Sequence, residues 1–178
     1  LLMVRDSLKT NYFKNGVPTA DIEELDGEIL TESEIKNLNY ELEEDDLFIL
    51  NLALETAAKK GVLATVRPDD IDTRQSKISL TSQYKQGLGE WEEESLNGPR
   101  RRAVDVSTGF IEIYYDFKSG FDTEFLFGDT PEDSARRLEK FIRENEDIID
   151  SHLSLQVLRK TAALRKLDEQ EISRVKRD

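Results

Sequence analysis

The segment DDLFILNLALETAAKKG, residues 45–61, constrains the fold more than any other part of the chain. Leu47, Phe48, Ile49, Leu50, Leu52 and Leu54 place apolar side chains on nearly every side of a helix. Such a helix cannot lie on a surface and has to be enclosed by other elements. Acids at its start suit the positive end of the helix dipole, and Lys59-Lys60 suit the negative end. Gly61 then reads as a left-handed C-cap. The chain is therefore expected to wrap its remaining elements around one central helix.

Several segments qualify as wrapping. Thr31-Glu32-Ser33-Glu34 has the capping-box pattern, and Ile35, Leu38 and Leu42 continue it as an apolar stripe. Thr130-Pro131-Glu132-Asp133 combines an N-cap threonine, proline at the first helical position and acids in the first turn. Ala135, Leu138, Phe141, Ile142, Ile148 and Ile149 keep helical spacing after it. Residues 152–158, HLSLQVL, fit a strand or a helix start equally. From Leu155 a polar helix is expected, with a thin stripe of Val157, Thr161, Leu164, Ile172 and Val175. It would reach about 33 Å if helical to Lys176.

Strand signals fill the middle. VLATV (62–66) is short and apolar, and KISLTSQY (77–84) alternates. AVDVST (103–108) follows, and GFIEIYYDF (109–117) with TEFLFG (123–128) predicts a β-hairpin turning at Lys118-Ser119-Gly120. The predicted class is α+β. An antiparallel sheet of about four to five strands over residues 62–127 is flanked by N-terminal helices and a long C-terminal helical segment. Residues 1–30 read as an arm and connector, 31–150 as the core domain, and 151–178 as a helical extension.

Charge bounds the function. The 178 residues carry a net charge of -13 and no cysteine, which excludes disulfides, thiolate catalysis and Cys-ligated zinc. A field of that sign opposes nucleic acid and anionic lipid and favours basic partners. From Asp21 to Glu55 there are thirteen acids and one base, Lys36; from Arg159 onward bases predominate. That asymmetry suits docking on a basic protein surface, or head-to-tail association of copies. No apolar run is long enough for a membrane span. The expected location is intracellular, or in a virion assembled there.

Catalytic signatures are sparse. His152 is the single histidine, so a two-imidazole metal site is excluded and no G-x-S-x-G accompanies a serine. GLGEWE at Gly87 has half of a nucleotide loop, but Glu90, Glu92, Glu93 and Glu94 would repel a phosphate. PDDIDTR (68–74) opens like a calcium loop and lacks its glycine and closing glutamate. Pro68-Asp69 followed by Asp116-Phe117-Lys118 resembles the PD-(D/E)xK nucleases. The resemblance implies Mg²⁺ on Asp69 and Asp116, with Lys118 orienting water. On a strand, Glu112, Asp116 and Lys118 would share a face.

The segment GEWEEESLNGPRRRAV (89–104) is the strongest candidate for contact. Trp91 is the only tryptophan and suits an interface anchor; Glu92 and Glu93 beside Arg100, Arg101 and Arg102 offer charge of both signs. With Leu164, Ile172 and Val175 on the last helix, they form the expected partner-binding set. The expectation from sequence is a non-enzymatic acidic protein-binding module. It would be an assembly subunit, viral or otherwise, or an inhibitor masking a basic partner, with no cofactor, no metal and no nucleic acid. The Mg²⁺-dependent nuclease is the alternative.

Overall fold

The structure, a computed structural model, describes residues 29–86, 91–118 and 123–175. Among the described residues six α-helices and five short strands make an α+β fold, as the sequence predicts. Helix α1 (Glu32–Glu41) starts at the expected capping box: the Glu34 amide donates to Thr31 Oγ1 at 3.2 Å, and the Thr31 amide to Glu34 Oε2 at 2.8 Å. Helix α2 (Glu44–Thr56) is the central helix. Phe48, Ile49, Leu50, Leu52, Ala53 and Leu54 are all buried on it. A four-residue helix α3 (Lys60–Leu63) follows.

Strands β1 (Ile71–Asp72), β2 (Lys77–Leu80) and β5 (Arg102–Asp105) form one antiparallel sheet in the order β1-β2-β5, with buried Ile78 opposite buried Val104. Strands β3 (Ser82–Gln86) and β4 (Trp91–Ser95) form a separate antiparallel hairpin. Helices α4 (Thr108–Lys118), α5 (Pro131–Asn145) and α6 (Leu155–Val175) complete the chain, and α2 packs against both α4 and α6.

Three local expectations change. Residues 62–66 are the end of α3 and the turn after it, not a strand. Gly61 is not the cap of α2: Ala57 takes the left-handed conformation, with φ 50°. Gly61 is needed for space, because a Cβ there would stand 2.2 Å from the Tyr84 carbonyl oxygen. Residues 109–117 are helical rather than the first arm of a hairpin, and residues 123–128 close a tight turn through a Phe125–Gly128 bridge. Phe110, Ile111, Tyr114 and Phe117 are the buried face of α4, a 3–4 spacing that outweighs the alternation of Ile111, Ile113, Tyr115 and Phe117. The deciding partner is Phe48, whose ring stacks on Phe117 at 4.1 Å between centroids and lies 5.5 Å from Phe110.

The ambiguous stretch resolves as helix from Leu155, and the N-cap at Thr130 is found as expected. The expected arm and connector of residues 1–30, save its last two residues, and the Ser119-Gly120 part of the expected turn lie outside the described residues. Among the described residues no helix is long and apolar enough to cross a membrane.

Candidate nucleic-acid interface

The segment between β4 and β5 is held at both ends. Leu96 is buried, and its amide donates to the Thr81 carbonyl at 2.7 Å. At the other end Arg102 opens β5 opposite Leu80, and its Nη2 donates at 3.0 Å to the carbonyl of Thr56, the last residue of α2. A cation at that carbonyl also complements the helix dipole. Between these anchors Asn97 to Arg101 are exposed. Gly98 takes φ +57°, and a 3₁₀ turn through Pro99 closes with the Arg101 amide on the Gly98 carbonyl at 3.1 Å.

Arg100 and Arg101 form no ion pair with another described residue. Many cations elsewhere are neutralised. Arg67 meets Glu93 through two hydrogen bonds of 2.8 Å, lies 3.4 Å from Glu124, and covers the Phe125 ring at 4.3 Å. Lys85 pairs with Glu94 at 2.7 Å, Lys60 with Glu139 at 2.6 Å, and Arg137 with Asp46 at 2.5 Å. The Glu94 carboxyl is held below its ordinary range chiefly by Lys85 and Gln83, with Arg100 adding only to the field.

Charge is polarised along the central helix. Glu43, Glu44, Asp45 and Asp46 stand at the start of α2, and Arg102 at its end. Thirteen residues of helix separate the two by about 20 Å. At the Arg102 end, Glu55 Oε1 accepts from the Ser107 amide at 3.2 Å and from its hydroxyl, tying α2 to the start of α4. Lys166 of α6 reaches the same place. Burial pushes its ammonium below the ordinary lysine range, opposed by Glu55 and reinforced by Arg102.

The residues singled out from sequence are dispersed. Glu93 is taken up by Arg67, whereas Glu92 is exposed on β4. Trp91 pairs with Gln86 through its backbone; its side chain, like those of Ile172 and Val175, lies outside the described residues. Leu164 is half-buried on α6. Asp69 sits in a 3₁₀ turn near Tyr114, Asp116 is in the last turn of α4, and Lys118 Nζ lies 5.7 Å from the centre of the Tyr114 ring. The shared strand face that permitted the nuclease reading does not exist, because residues 108–118 are helical. On a helix Glu112 and Asp116 are neighbours and Lys118 points elsewhere. Sequence reasoning missed Arg67, Glu55 and Lys166. Of these only Lys166 has a local signal: it continues the row of buried Leu158 and Ala162 at i+4.

No protein family matches the sequence, and no curated protein is similar to it. Solved structures do share its fold. XerA recombinase matches with a TM-score of 0.60 at 20% identity, over 80% of this chain and 50% of that one. The Tn1549 transposon integrase in complex with a circular intermediate DNA matches with a TM-score of 0.61 at 14% identity, over 80% of this chain and 54% of that one. The same integrase in complex with transposon right end DNA gives 0.59 at 14% identity, over 81% and 55%. The chain thus spans about half the length of these solved chains, and at such identities the likeness establishes the fold. It also corrects the expectation of a non-enzymatic assembly subunit, virion component or inhibitor that avoids nucleic acid: proteins with this fold are a recombinase and an integrase, the latter solved on DNA. Net charge sums the whole chain, whereas approach to a polyanion depends on the local patch, so the total of -13 does not by itself exclude nucleic acid.

Proposed function

We propose that this chain is a duplex DNA-binding domain of the recombinase and integrase fold. The observation that carries the reading is the fold likeness to a recombinase and to an integrase held on DNA, over about four-fifths of this chain. The Arg100–Arg101 turn supports it as a cationic feature that forms no ion pair among the described residues and leads into Arg102, which sits at the end of α2 opposite the acidic one. Arginine suits the task because its planar fork donates to two phosphate oxygens at once. Its strongly acidic body limits non-specific affinity and steepens the dependence on orientation.

Fluorescence anisotropy with a labelled duplex tests the reading. Binding at about 50 mM salt that weakens with a linear log–log slope towards about 200 mM is the expected result. Absence of any anisotropy change at the lower salt, with micromolar protein, rules the reading out.

A further inference from the structure

We infer that the Asn97–Arg101 turn is a minor-groove probe, with Arg100 and Arg101 entering the groove of A·T-rich duplex DNA. This rests on the DNA-binding reading above and names the element and the groove. The turn is a single chain crossing closed by one 3₁₀ turn, with Gly98 and Pro99 as narrow shoulders, so the two arginine side chains are its only long protrusions. The major groove, about 12 Å wide, suits a helix or a two-stranded ribbon; the minor groove, about 6 Å wide, suits side chains from one strand of backbone.

Electrostatics points the same way. Glu94 on β4, paired with Lys85, lies within the field of Arg100, and Glu92 and Asp105 are exposed on the strands that lead into and out of the turn, so a flat approach would bring carboxylates towards phosphates. Arginines that reach into a groove hold those acids back from the backbone. The negative potential is greatest in the narrow groove of A-tracts, where inserted arginine gains most. The turn is also set in advance: the Leu96 amide on Thr81, the Arg101 amide on Gly98 and the Arg102 guanidinium on Thr56 fix its ends and its curve. Little backbone freedom is left to lose on binding. Arg102 serves as the positioning residue, because its side chain is engaged with the α2 carbonyl.

Anisotropy on an A-tract duplex and a G·C duplex, with the full chain and the Arg100→Ala/Arg101→Ala variant, tests this. The full chain is expected to prefer the A-tract duplex and to be displaced by netropsin, which occupies the minor groove. The variant is expected to bind about 10- to 100-fold more weakly, with a salt slope shallower by about 2. An unchanged thermal midpoint, expected for two exposed side chains, shows that the variant is folded. If the full chain binds and the variant binds equally well, or netropsin does not compete, the minor-groove assignment is overturned while DNA binding stands. If the full chain binds neither duplex, both readings are overturned.

Discussion

Thr31 and Glu34 show how two side chains secure a helix end and a long-range contact together. Each satisfies an amide of the other, and Glu34 Oε1 also accepts from the Ser151 amide at 3.2 Å, across the chain from α1. Hydrogen bonds from Ser151 and Thr31 hold the Glu34 carboxyl below its ordinary range. Thr31→Ala is expected to cost about 1 kcal/mol, read from urea midpoints. Because the folded pKa is depressed, the carboxylate's contribution is complete above the unfolded value, about 4.3, and is lost as pH falls through the lower folded value. The stability gap between the wild type and Glu34→Gln should therefore be open at pH 7 and close on acidification; a gap that widens in acid would contradict the assignment. Ala57 makes a second residue-scale case. Its left-handed φ of 50° is one that a non-glycine residue adopts at a cost of about 1 kcal/mol or more. Ala57→Gly should raise stability by about 0.5–1 kcal/mol after its own loss of unfolded-state restriction.

At the scale of elements, close approaches decide what the helices and strands can do. Helix α3 lies so near β3 that Gly61 admits no methyl group: the blocking atom is a backbone oxygen, which cannot swing aside. Thr65 Oγ1 donates to the Ser82 carbonyl at 2.9 Å and seals the same junction. Gly61→Ala should destabilise by about 3 kcal/mol, at the upper end of overpacking, and a change below 1 kcal/mol by chemical denaturation would show that the two elements can part. The contrast between α1 and α4 explains what a sequence reader can see. Helix α1 is announced by a cap within four residues, all of them local. Helix α4 is written in β-branched and aromatic residues that fit a strand equally, and Tyr115 is left 55% exposed by the helical choice. Such propensities span only about 1 kcal/mol per residue, less than burying Phe110, Tyr114 and Phe117 against Phe48 yields.

Across the whole molecule, α2 is the shared partner, packing against α1, α4, α5, α6 and β5. Phe48 meets Phe110, Tyr114, Phe117 and Phe127 from α4 and the segment after it. Phe48→Ala should cost about 3–5 kcal/mol, since the four rings grouped around Phe48 cannot all close over the gap. Asp46 at the start of α2 accepts from Arg137 and, at 2.8 Å, from Asn145, binding α5 to the core, while Arg102 marks its other end. The central helix, the capped starts at Thr31 and Thr130, and the α+β class were determined by the sequence alone, because periodicity and caps are satisfied within a few neighbouring residues. The rest was decided only by tertiary structure: the splitting of the strands into a sheet and a hairpin, Glu93 drawn to Arg67, Arg102 engaged on the Thr56 carbonyl, and Arg100 with Arg101 exposed. Each of those outcomes depends on which distant backbone arrives beside a side chain, and packing around α2 sets that, not local spacing.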